Sequence, residues 1–187
     1  KENKKAKPGS VEDDFLASTE LIMLKEEIDI YKHLPDQEAR EAFIEEFWEK
    51  RDPTPQTEIS ENRIEFERRV DFVDRLLRER VGKGRGWESD RGKVYLLLGE
   101  PDERSTQHIS IYDRFGLPKQ ALGEVWVYNY YRVYLEFVDA DEMGVYRLRI
   151  WPVELLSAIE RAKFTIQSPG KTGPALEFKT AVTKNEL

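Results

Sequence analysis

The 187-residue chain has no cysteine. That excludes disulfides, thiolate catalysis and cysteine-ligated zinc. It leaves the compartment open, because a domain with an adequate core needs no staple in an oxidising environment either. Histidine is almost as scarce: His33 and His108 are the whole set. They stand far apart and lack the His-x-x-x-His spacing of a helical metal site. Asp139, Asp141 and Glu142 lack the alternating ligands and closing Glu of a calcium loop, and read as a polar hairpin turn. No metal and no cofactor is expected. No apolar run approaches the roughly 20 residues of a membrane span, so no transmembrane segment is expected. Positive charge is in deficit: 30 Lys and Arg stand against 37 Asp and Glu, for a net charge of −7. Such a chain repels a phosphate backbone unless its cations cluster, so nucleic acid is not an expected partner. No serine stands in a Gly-x-Ser-x-Gly elbow. Gly82, Gly84 and Gly86 follow a charged helix rather than a strand and precede no Lys-Ser/Thr, so they read as a flexible joint and not a phosphate loop.

What is present suits one domain, or a helical unit with a small α+β unit. Hydrophobic residues make up 39% and aromatics 11%, enough for a real core, and the 36% of charged residues is assigned to solvated helix faces. Residues 1–14 read as a flexible, lysine-rich leader. The chain opens on Lys1 rather than Met, as expected of a processed chain or a fragment, and a removed signal peptide accounts for it. Residues 15–85 form a helical region. Phe15 to Leu34 is read as part helix, part extended. After Pro35, Asp36 N-caps a helix of about four turns with Ala39, Phe43 and Phe47 on its stripe. Pro53 and Pro55 end it. A second helix runs from about Ile59 to Arg80, with Phe66, Val70, Val73 and Leu77 on one face and Glu65-Arg69 and Asp71-Arg75 pairs on the other.

Residues 86–165 hold a signature segment and a sheet. Gln107 to Leu122 reads as a loop. Glu124–Asn129, Val133–Val138 and Val145–Ile150 read as strands of an antiparallel meander, the first two joined through Tyr130 and Tyr131. Pro152 opens a short C-terminal helix burying Leu155, Leu156, Ile159 and Ala162. Residues 166–187, with Pro169, Gly170, Gly173 and Pro174, read as a tail or linker. The fold class expected is α+β: N-terminal amphipathic helices packed with a meander of three or more strands and a short C-terminal helix.

Gly86 to Glu103 reads G-W-E-S-D-R-G-K-V-Y-L-L-L-G-E-P-D-E. Its middle has two readings. In one, Ser89 caps a helix, Asp90 sits at its positive end, Gly99 takes the left-handed cap and Pro101 stops it. In the other, Lys93 to Leu98 is a strand, which Val94, Tyr95 and Gly92 favour. The start and stop signals favour the helix. The segment resembles the signature of the GWxTD domain, a bacterial family without an established activity, with Ser89 where that family usually has Thr. The resemblance spans about Phe43 to Ile150. It includes Phe47-Trp48, Arg51-Asp52-Pro53-Thr54-Pro55 and Glu124-Val125-Trp126-Val127-Tyr128, and implies a periplasmic, envelope-associated or secreted location. A second resemblance, to the small outer-membrane-assembly lipoproteins of bacteria, rests on Leu98-Gly99-Glu100-Pro101, Trp126-Val127-Tyr128 and the strand from Tyr134. It implies a fold more than a function.

The leading expectation is a non-catalytic interaction or structural module of a bacterial envelope or exported protein. The expected partner is a protein or peptide, either a separate molecule or another domain of the same parent protein. In this reading Trp48, Gly86, Trp87, Ser89, Gly92, Gly99, Pro101 and Asp102 set the joint between helices and sheet. Asp90-Arg91 and Arg51-Asp52, with Pro53, brace loops, since guanidinium binds carboxylate or carbonyl through fixed forks. Trp126, Tyr128, Tyr130, Tyr131 and Tyr134 form an aromatic ridge, either covered by a helix or the tail, or exposed as a grip for a partner. The alternative is a hydrolase of envelope peptide or glycan using Asp90, Asp102 or Glu103 with Arg91, which requires a cleft holding at least two of these carboxylates. The third reading is an oligomerising scaffold, a homo-oligomer in which the tail docks on a neighbouring copy.

Overall fold

The computed structural model describes residues 11–79 and 84–169. The leader through Ser10, the centre of the glycine joint (80–83) and the tail from Gly170 lie outside the described residues. Four helices come first: α1 (Val11–Thr19), α2 (Lys25–Lys32), α3 (Gln37–Glu49) and α4 (Glu61–Leu76). A 3-10 turn at Gly86–Glu88 leads into α5 (Asp90–Leu98). Strands β1 (Glu103–Tyr112), β2 (Pro118–Tyr128), β3 (Val133–Asp139) and β4 (Arg147–Leu148) form one antiparallel meander in chain order, and α6 (Val153–Gln167) closes the described chain. The fold is α+β, as the sequence leads one to expect.

Local chemistry sets the ends. Asp36 caps α3 by accepting from the Ala39 N–H at 2.9 Å, and Pro53 follows its end. Phe66, Val73 and Leu77 of the expected stripe on α4 are buried. In α6 the buried face is Leu155, Ala158, Ala162 and Ile166, while Leu156 is half exposed rather than buried. The region before Pro35 is two helices, not partly extended.

The sheet differs most from expectation. Gln107–Leu122, expected as a loop, lies mostly in two strands: β1 is a ten-residue edge strand paired along its whole length with β2, Ile109 opposite Ala121. Its first six residues are exposed on both sides, and only Ile109 and Ile111 alternate with exposed neighbours, so the half-buried period is short. Only the Asp113–Leu117 turn remains a loop. β4 is shorter than the Val145–Ile150 strand expected, and its outward Leu148 N–H is taken by the Asp90 carboxylate at 2.9 Å. One continuous core runs from Ile22 and Phe47 through α4 and α5 to Trp126, Phe137 and Leu155. A small cluster of Ile109, Ala121, Val125 and Val138 covers the outer sheet face.

Candidate functional site

The signature folds as the capped helix. Ser89 Oγ accepts from Gly92 N–H at 3.0 Å and donates to the Gly86 carbonyl at 2.7 Å. Gly86 and Gly92 are required by contact. A Cβ on Gly86 would lie 1.9 Å from the Val73 carbonyl oxygen of α4, and one on Gly92 would lie 2.0 Å from the Gly86 oxygen. Backbone therefore meets backbone at both positions, and α4, the 3-10 turn and α5 pack closer than any side chain permits. Gly99 ends α5 at φ 79°, ψ −155°, a region essentially reserved for glycine. Its space is also taken, since a Cβ there would lie 2.9 Å from an Arg69 guanidinium nitrogen. Arg69, assigned to a solvated face, is buried. It pairs with Glu65 at 2.7 Å and donates to the Leu96 and Leu97 carbonyls at 3.0 and 3.3 Å, capping the negative end of α5.

Asp90 and Arg91 brace different partners. Asp90 holds β4 through Leu148 N–H at 2.9 Å. Arg91 is buried and reaches Glu124 of β2 at 2.7 Å, with its guanidinium 3.9 Å from the Tyr146 ring centre. Glu124 also accepts from Arg104 Nε and from Trp126 Nε1, each at 3.0 Å. Burial pushes the Glu124 carboxyl up, but the Arg104 hydrogen bond, the Arg91 charge and the Trp126 indole outweigh it and hold it below its ordinary range. Burial pulls Arg91 down, opposed by Glu124. In the helical half Arg51 plays the same part. It is fully buried, pairs with both oxygens of Glu27 at 3.0 and 2.6 Å, and lies 3.7 Å from the Phe47 ring centre. Asp52 turns the following loop by accepting from Thr54 N–H at 2.9 Å, and Pro53 is exposed. Glu27, Arg69, Arg104 and Glu124 are thus constituents of the braces that sequence reasoning missed. Their charges looked like surface charges, and only the apolar context of Trp126 beside Glu124 hinted otherwise.

The carboxylates of the hydrolase reading are not brought together in one cleft. Asp90 serves Leu148, Asp102 accepts from Asn129 N–H at 2.8 Å, and Glu103 is exposed at the start of β1. Pro101 lies between them and α5 at the turn into the sheet. The aromatic ridge is divided. Trp126 and Tyr128 are core residues, 0% and 2% exposed, under the helices, and Tyr128 OH donates to the Gly99 carbonyl at 2.9 Å. Tyr130 and Tyr134 are exposed, and Tyr131 is half-buried against both Tyr128 and Tyr130.

A groove of about 520 Å³ opens instead on the helical side, between α1, α3, α4 and the 3-10 turn. Phe15, Ile44, Trp48, Phe66, Val70 and Trp87 supply its apolar lining. Five carboxylates (Asp14, Glu41, Glu67, Asp71, Asp74) and three guanidiniums (Arg63, Arg75, Arg85) complete it. Arg85 stacks on Trp87 at 4.5 Å and pairs with Asp14 at 2.9 Å. The Trp87 indole N–H is buried with no acceptor among the described residues. The signature tryptophan and Trp48, read as packing anchors, are therefore also walls of a concave surface. No metal-holding cluster of His, Asp and Glu occurs among the described residues, and no helix among them is long and apolar enough to cross a membrane. Compared with protein-family models, curated proteins and solved structures, the chain matches none.

Proposed function

We propose that this chain is a non-catalytic interaction module of a bacterial envelope-associated or exported protein, of the kind the GWxTD resemblance implies, and that it receives a protein partner in the groove beside Trp48 and Trp87. The observation that carries this reading is the groove itself: an apolar floor of about 520 Å³ with a charged rim, the composition expected of a surface that desolvates a partner's side chains. The carboxylates Asp90 and Asp102 are engaged by backbone N–H groups, which supports a structural rather than a catalytic part for the signature. The test is a photo-crosslinking amino acid placed at position 70, in the groove, and at Glu136, on the outer sheet face, in the native host. A discrete adduct from position 70 and none from position 136 is expected. Equal adducts from both, or hydrolysis of envelope peptide or glycan that Asp90→Asn/Asp102→Asn/Glu103→Gln abolishes without unfolding, sinks the reading.

A further inference from the structure

The β1–β2 hairpin carries an apolar tip that no described residue of its own chain covers. β3 pairs with β2 only from Leu122 onward, so the backbones of Ile109–Tyr112 and Pro118–Ala121 ladder with each other and not with β3, while Ile109 and Ala121 pack on Val138 and Lys119 donates to the Ala140 carbonyl at 2.7 Å. At the end, Tyr112, Phe115 and Leu117 are 76%, 72% and 61% exposed. The loop that presents them is built stiffly. Asp113 N–H donates to the Leu117 carbonyl at 2.8 Å, and the Asp113 carboxylate accepts from the Phe115 and Leu117 N–H groups, each at 2.8 Å. Gly116 supplies the positive φ of 78° that closes the turn. Three large apolar side chains on a preordered loop lose little entropy on docking.

We infer that the groove between α1, α3 and α4 takes the hairpin tip of a second copy of this chain. The inference rests on the groove being a docking site and names its occupant. The charges favour the pairing: Arg114 stands at the tip over the Phe115 ring, Lys119 beside it is shared with the Ala140 carbonyl and Glu142, and the groove carries five carboxylates against three guanidiniums. The Trp87 indole, without an acceptor among the described residues, meets an entering backbone that has carbonyls to offer. No residue of the tip lines the groove of its own chain, so tip and groove are different patches and the contact is heterologous. Two aromatics at roughly 150–250 Å² each and a leucine bury about 500 Å² per side. The total of about 1,000 Å² lies at the low end of specific interfaces, so the association is weak and concentration-dependent.

Sedimentation of the full chain between about 10 µM and about 1 mM brackets such an affinity. The weight-average mass of the wild type is expected to rise across that range. Phe115→Asp at the tip and Val70→Arg in the groove are each expected to stay monomeric with a wild-type melting curve. An equimolar mixture of the two variants recovers one good tip and one good groove, and is expected to give a two-chain complex and nothing larger. If Val70→Arg does not fold, Ile44→Arg on the facing helix replaces it. A wild type that stays monomeric, or association lost in Phe115→Asp but kept in the groove variant, overturns the inference. So does a monomer whose tip binds phosphatidylglycerol–phosphatidylcholine vesicles in a Phe115-dependent way. A monomer that still gives a position-70 adduct with a different protein overturns the second copy while leaving the groove's docking role intact.

Discussion

Three of the described arginines lie in the core, Arg51, Arg69 and Arg91, and each pairs with a carboxylate, while Arg51 Nε and Arg91 Nε have no hydrogen-bond partner among the described residues. A buried guanidinium left without its counter-charge is strongly destabilising. Glu124→Gln removes the anion that Arg91, Arg104 and Trp126 share, and is expected to lower stability by about 3 kcal/mol in urea unfolding at pH 7. The pH dependence has a definite sign. The folded-state pKa of Glu124 lies below its ordinary 4.5, so its stabilisation is full above that value and is lost as pH falls through the folded value. The gap between wild type and Glu124→Gln should therefore narrow on acidification below about 4.5. A constant gap down to pH 3 shows that the network is steric, not ionic. Likewise Glu27→Ala strands the Arg51 charge and should cost about 3–5 kcal/mol, whereas Glu27→Leu/Arg51→Met, which removes both charges, should cost less than that single change. Arg51, Asp90 and Arg91 were legible as braces because each stands among aromatics and turn residues. Their partners were not, since Glu27, Leu148 and Glu124 lie 24, 58 and 33 positions away, a separation only the fold sets.

At the scale of elements, the signature is a device for close approach. Gly86→Ala and Gly92→Ala each drive a Cβ to within about 2 Å of backbone oxygen, and backbone cannot swing aside as a side chain can. Each should cost more than about 3 kcal/mol, at or beyond the usual range for overpacking. Gly116→Ala, at φ 78° with nothing within 4 Å, carries only the strain of positive φ, about 1–2 kcal/mol. Thermal melting that ranks Gly116→Ala as the worst of the three contradicts this account. The helix reading of the signature was available in Ser89, Gly99 and Pro101 because capping chemistry is local. β1 was not, because its first six residues have solvent on both faces and the period of two is confined to Ile109 and Ile111, so its identity comes chiefly from pairing with β2.

For the whole molecule, the question is whether helical half and sheet are one cooperative unit. The core answers structurally: Ile22 and Phe47 belong to the same contiguous cluster as Trp126, Phe137 and Leu155. Gln167 at the end of α6 reaches back to the Ile22 carbonyl at 3.0 Å. Arg69 on α4 caps α5, and Asp90 on α5 holds β4, so each layer terminates or anchors the next. A core shared in this way leaves no interface along which one half opens while the other stays packed. The tryptophans report on the two halves separately: Trp48 sits on α3 and Trp126 on β2, both buried. In variants that keep only one of them as a fluorophore, urea transitions followed at Trp48 and at Trp126 should coincide with each other and with the loss of helical circular dichroism. Phe47→Ala in the helices and Leu135→Ala in the sheet should each move both signals together by about 2–5 kcal/mol. The groove sharpens this expectation. It opens between helices tied to the same core, so filling it stabilises the sheet as well, and any ligand of the groove should delay the Trp126 transition as much as the Trp48 transition. Separate midpoints for the two tryptophans mean instead that the helices form a unit of their own, and that the joint at Gly86 separates two domains rather than joining one.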